Sequence, residues 1–106
     1  MPRIVQSRKK RSVEEIRQDL KVYLPELRDR YGVTYLGIFG SYVRGEQKKA
    51  SDVDILVEFD RPGTLLGFIH LQNDLEDLLG VRVDLVEKSG LKPAIRPHVL
   101  AEVVPV

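Results

Sequence analysis

The feature that most restricts how this chain can fold is a polar stretch held between two apolar runs. Tyr35-Leu36-Gly37-Ile38-Phe39 leads into Gly40-Ser41-Tyr42-Val43-Arg44-Gly45-Glu46, a short polar spacer follows, and Ser51-Asp52-Val53-Asp54 runs directly into Ile55-Leu56-Val57. Short apolar runs bounded by turn residues read as buried strands. The polar residues between them therefore sit at strand ends, where a rigid sheet presents side chains for chemistry.

Two separate devices lie inside this stretch. In the first, a strand stops at Gly40 and a short helix starts at Ser41, so unpaired backbone N–H groups and a serine hydroxyl point into the space above the strand end. Such a turn is a cradle for phosphate. In the second, Asp52 and Asp54 stand two apart on a strand, which puts both carboxylates on one face roughly 6.5 to 7 Å apart. Oxygen donors in that arrangement suit Mg²⁺, which is held by one or two carboxylates plus substrate phosphates. In two-metal sites the ions sit about 3.5 to 4 Å apart. A phosphate cradle beside metal-binding carboxylates implies phosphoryl or nucleotidyl transfer. Arg44 could balance phosphate charge or brace the loop by pairing with Glu46 or an aspartate, and the residues themselves do not choose.

With ten residues between Ser41 and Asp52, the two devices resemble the Gly-Ser-x10-Asp-x-Asp signature of the polymerase-beta-like nucleotidyltransferases. The variant Gly-Ser-Tyr-Val-Arg-Gly-Glu followed by Ser-Asp-Val-Asp-Ile-Leu-Val is similar to that of the minimal nucleotidyltransferases, antitoxin-type proteins encoded beside HEPN toxins. The resemblance covers about residues 12 to 104. It implies an α/β (α+β) fold, a small mixed sheet of three or four strands with helices mainly on one face. It also implies transfer of AMP from ATP to a hydroxyl, with release of pyrophosphate. Asp52 and Asp54 would hold two Mg²⁺ ions, and Gly40 and Ser41 the β- and γ-phosphates. A third carboxylate, expected on a later strand, falls on Asp84, which would share the metal that activates the acceptor hydroxyl. Taken as an isolated strand acid, Asp84 reads first as a solvated residue at an open strand edge or end, and only the resemblance gives it a role in the site.

Related enzymes that modify small molecules or nucleic acid add a helical domain for the acceptor, which a chain of 106 residues is expected to lack. The acceptor is then expected to bring its own surface, as a protein does. The resemblance points to a HEPN-type ribonuclease toxin modified on a tyrosine. Two other classes fit the same residues: a non-catalytic binding module that silences a toxin by occupying it, and a nucleotidyltransferase for a small molecule or RNA end whose acceptor site lies on another chain.

Composition narrows the rest. There is no cysteine, which excludes disulfides, thiolate metal sites and a thiol nucleophile. No apolar run approaches the roughly 18 residues that span a bilayer, and the basic N-terminus lacks the apolar stretch of a secretion signal, so the chain is expected in the cytoplasm. Arg3, Arg8, Lys9, Lys10 and Arg11 fall in residues 1–11, leaving 12 basic against 16 acidic residues, a net of −4, for the single domain at 12–106. The body is thus no nucleic-acid surface. The basic arm reads as a solvated, flexible terminus or as a contact for phosphates.

Along the chain, Ser12 and Glu15 form a capping box that opens a helix carrying Val13, Ile16, Leu20, Leu24, Leu27 and Tyr31 at helical spacing. Pro25 is expected to kink or split it, and Gly32 to end it. Strands are expected at Val33 to Phe39, about Asp52 to Phe59, and Val81 to Val86. A helix from about Leu65, capped by Gly80, links the last two. Ser89 to Glu102 reads as a loop and a short helix interrupted at Pro93 and Pro97. The apolar end, Val103 to Val106, either tucks onto the core or meets a partner. His70 and His98 are solitary and read as structural.

Overall fold

Ser12 and Glu15 cap each other as the pattern requires. Ser12 Oγ accepts from the Glu15 N–H at 3.1 Å, and Glu15 Oε1 accepts from the Ser12 N–H at 2.9 Å. From this box α1 (Val13–Tyr31) runs to Gly32, whose left-handed backbone (φ 73°) turns its N–H onto the Arg28 carbonyl. The computed structural model describes residues 11–106, so the arm at residues 1–10 lies outside the described part. Arg11, the last residue of that arm, is tied to the body: its guanidinium donates to the Leu79 carbonyl at 2.8 Å and pairs with Asp19 at 2.8 Å.

Pro25 does not split α1, which continues through it as one helix. Ile16 and Leu20 before the proline and Leu27 after it are all buried. Burial at about 1.5 to 3 kcal/mol per side chain offsets the roughly 3 kcal/mol that an internal proline costs.

Three main strands follow: β1 (Val33–Phe39), β2 (Val53–Phe59) and β3 (Val83–Glu87), the last starting two residues later than expected. Between β1 and β2 stand α2 (Ser41–Arg44) and a polar loop that closes on itself, Lys48 N–H donating to Ser51 Oγ at 2.8 Å. Helix α3 (Leu65–Leu79) starts at Thr64, whose hydroxyl accepts from the Gly67 N–H at 2.9 Å, and provides the crossover that parallel β2 and β3 require. After a 3₁₀ turn at Lys88–Gly90 come α4 (Arg96–Glu102), with Pro97 in its first turn, and β4 (Val104–Pro105). The sheet order is β3-β2-β1-β4, with β1 antiparallel to both of its neighbours. The apolar C-terminal end therefore becomes the edge strand beside β1.

Helices α1 and α3 pack on one face, where Ile16, Leu20, Leu71 and Leu75 meet Val53, Ile55 and Val57 of β2. Alternation sends Leu56 to the other face, where it packs against Leu91 and Val99 of the α4 segment. Helices thus lie mainly on one face, and α4 covers only part of the other. Asp54 shares that second face with Leu56. So does Asp84, because Val83 and Leu85 on either side of it belong to the main core. His70 and His98 are both exposed on helix surfaces. Among the described residues no helix is long and apolar enough to cross a membrane.

Candidate active site

The end of β1 and the start of β2 meet at Gly40. Gly40 has φ 82° and ψ −151°, a backbone conformation that side chains rarely adopt. A Cβ at this position would overlap Asp54 Oδ2. Glycine is therefore required twice, for the sharp exit from the strand and for the approach of backbone to carboxylate. From Gly40 the chain enters the one-turn helix α2, anchored by Tyr42, which is 2% exposed in the main core. Gly45, again left-handed (φ 72°), ends it with its N–H on Ser41 and Tyr42 carbonyls. Ser41 stands at the helix start: the Val43 and Arg44 N–H groups turn back onto the Gly40 carbonyl at 3.0 and 3.2 Å, and those of Ser41 and Tyr42 have no partner within the helix.

Asp54 and Asp84 are register partners across the parallel β2–β3 pair. Burial pushes the Asp54 carboxyl up to about 6, and the neighbouring Asp84, by its charge and its hydrogen bond, adds to the rise. Asp52 raises it further and Arg44 opposes. Hence Asp54 is the partly buried centre of the group and Asp84 its exposed companion. Asp52 lies just ahead of β2 and is engaged by Arg82, whose Nε donates to Oδ1 at 2.9 Å. Arg44 braces the loop: its Nε donates to Glu46 at 2.9 Å and its Nη1 to Glu102 at 3.0 Å. The Gly40 N–H, expected to face a phosphate, donates instead to Glu102 Oε2 at 2.7 Å.

The structure therefore brings Gly40, Ser41, Arg44, Asp54 and Asp84 around one strand end and holds Asp52 beside them through Arg82. Among the described residues no three acidic or histidine side chains are gathered closely enough to hold a metal ion by themselves. Two neighbouring carboxylates still suit Mg²⁺, which takes oxygen donors and fills its remaining positions with water and substrate phosphates. Burial and, after it, the charge of Asp84 raise Asp54, and a bound cation would oppose both. Arg82 and Glu102 escaped the sequence reading. Arg82 stands just ahead of β3, two residues before Asp84, and could have been suspected from that spacing. Glu102 carries no local signal, being 62 residues from Gly40 in the chain.

A family profile for nucleotidyltransferase domains matches residues 20–105. The chain belongs to the nucleotidyltransferase family. This nucleotidyltransferase is 57% identical over 93 residues, 88% of its length and 94% of the relative's, to the protein adenylyltransferase MntA of Thermococcus cleftensis. Among solved structures it resembles a protein assigned as a minimal nucleotidyltransferase, with 41% identity, a TM-score of 0.77, and coverage of 92% of this chain and 99% of that one. A crystal structure of a toxin–antitoxin with AMP-PNP is also similar, at 26% identity and a TM-score of 0.68, covering 82% of this chain and 70% of that one. The four-stranded mixed sheet with its helices is the minimal nucleotidyltransferase fold.

Proposed function

We propose that this nucleotidyltransferase moves AMP from ATP onto a hydroxyl, a tyrosine, of a HEPN-type ribonuclease toxin, and so acts as that toxin's antitoxin in the cytoplasm. The observation that carries the reading is the register pairing of Asp54 with Asp84 directly below the Gly40–Ser41 turn. It is supported by the 57% identity to a protein adenylyltransferase and by the likeness to a toxin–antitoxin structure holding an ATP analogue.

In this reading Asp52 and Asp54 would hold Mg²⁺, two ions in all, and Asp84 would share in holding it. Bound Mg²⁺ would stabilise the phosphate charge and lower the pKa of the acceptor hydroxyl. The chain's own residues do the remaining work. Gly40, through its missing side chain, and Ser41, through its hydroxyl and N–H, admit and hold the β- and γ-phosphates. Arg44 adds positive charge beside them. Asp84 takes the proton from the acceptor hydroxyl as its oxygen bonds to the α-phosphorus and the bond to the bridging oxygen of pyrophosphate breaks. A protein acceptor supplies its own binding surface and brings its hydroxyl to the exposed Asp84 side of the site.

The test is co-expression with the HEPN-type partner, followed by intact mass measurement of the partner and mapping of the modified residue. The expected result is a mass increase of one or more adenylyl groups, lost with Asp54→Ala. A partner silenced equally by both forms with no mass change would instead mark a non-catalytic binder.

A further inference from the structure

In the β1–β4 ladder Gly37 faces Pro105 and Ile38 faces Val104, and the Val106 N–H donates to the Leu36 carbonyl at 2.9 Å. Continuing the same antiparallel register by two residues sets Gly40 opposite Glu102. Hydrogen-bonded pairs alternate along such a ladder. Leu36 with Val106 is one, so Ile38 with Val104 and then Gly40 with Glu102 follow as the next. At this last position the C-terminal segment is already wound into α4, which ends at Glu102. In place of a backbone carbonyl, the Glu102 side chain reaches across and accepts the Gly40 N–H at 2.7 Å. The same carboxylate receives Arg44 Nη1 at 3.0 and 3.2 Å. Glu46 takes Arg44 Nε at 2.9 Å, leaving Nη2 as the guanidinium nitrogen without a partner among the described residues.

One carboxylate thus fixes both the peptide that begins the phosphate turn and the cation beside it. Its own position is set by β4, which is zipped to β1 and further held by Arg17 Nε on the Pro105 carbonyl at 3.1 Å. Gly40 is pressed against Asp54, so a rotation of the Gly40 peptide would also disturb the carboxylate centre. We propose that Glu102 is a positioning residue for nucleotide binding: it completes the β1–β4 ladder with its side chain and thereby holds Gly40 and Arg44 in the arrangement that receives the triphosphate. This rests on the nucleotidyl-transfer reading above and extends it to the C-terminal α4–β4 segment.

The test compares wild type, Glu102→Gln, Glu102→Ala, Arg44→Ala and the Glu102→Ala/Arg44→Ala pair. Titration with a non-hydrolysable ATP analogue and Mg²⁺ is read beside the steady-state constants for ATP and for the protein acceptor. Losing a charge-assisted bond predicts that Glu102→Ala weakens analogue binding by about tenfold or more. Glu102→Gln should recover part of this, because its amide oxygen still accepts from Gly40. KM for ATP should rise while KM for the acceptor holds, and the double variant should lose less than the product of the two single losses. A general loss of stability would not divide the two substrates in this way. Tighter analogue binding by Glu102→Ala would overturn the proposal by showing that the carboxylate competes with phosphate. Unchanged binding would overturn it as well while leaving the transfer reading intact. A wild-type chain that binds no nucleotide would sink both.

Discussion

Asp54 and Asp84 stand at the same register position on neighbouring parallel strands, with Asp54 partly buried and Asp84 exposed. Burial disfavours ionisation of Asp54 first and the charge of Asp84 beside it second, and a cation bound there would oppose both. The metal-free protein therefore carries a local penalty at the point where its chemistry is proposed to occur.

The penalty has a pH signature. The Asp54 carboxyl sits at about 6 in the folded chain, against roughly 3.9 when unfolded. A raised folded value contributes stability that is fully present below about pH 4 and is lost as pH rises through about 6. In metal-free thermal melts, Asp54→Asn should thus gain on the wild type between pH 4 and 7. It should also abolish stabilisation by Mg²⁺-ATP and all transfer. A difference between the two melting temperatures that stays flat with pH would refute this.

Asp84→Asn should divide binding from chemistry. On the proposed reading Asp52 and Asp54 would still engage the nucleotide-bound metal, so stabilisation by Mg²⁺-ATP should largely survive. Single-turnover transfer should nevertheless fall by about a hundredfold or more, the usual order for losing a general base. Transfer at the wild-type rate would remove Asp84 from the mechanism.

Gly40 and Gly45 both have positive φ, but their surroundings differ. A Cβ on Gly40 meets Asp54, and one on Gly45 meets nothing within 4 Å. Gly45→Ala should therefore cost about 1 kcal/mol of stability and leave binding of an ATP analogue intact. Gly40→Ala should cost about 1 to 3 kcal/mol and lose that binding, because Asp54 must move as well. Calorimetric titration of both variants separates strain from site damage, and equal affinities would contradict the assignment.

Arg82 and Asp52 form an exposed ion pair, with side chains 78% and 42% accessible. Arg82→Ala should change stability by less than about 1 kcal/mol, the range for such pairs. Freed of its competing cation, Asp52 should raise apparent Mg²⁺ affinity by about two- to fivefold. A Mg²⁺ titration followed by thermal shift is the check, and weaker Mg²⁺ binding would mean that Arg82 instead holds Asp52 in place for the ion.

The parts legible in the sequence are those governed by neighbours in the chain. The Ser12–Glu15 box, the glycines that end α1, α2 and α3, and the alternation along β2 each depend on a few adjacent residues. So does the Gly40-Ser41 to Asp52-Val53-Asp54 layout, and with it the family and the sheet type. Other features were decided by the tertiary structure. Continuation of α1 through Pro25 depends on the core against which both halves of the helix pack. The pairing of Asp54 with Asp84 depends on which strands lie side by side and in what register. Glu102 reaches Gly40, and Arg82 reaches Asp52, only because residues distant in sequence are brought together. Backbone propensity acts over a turn or two, whereas strand order and register follow from burying one shared core. A strand's alternation fixes the face on which a carboxylate lies, and the folded sheet decides which group stands opposite it.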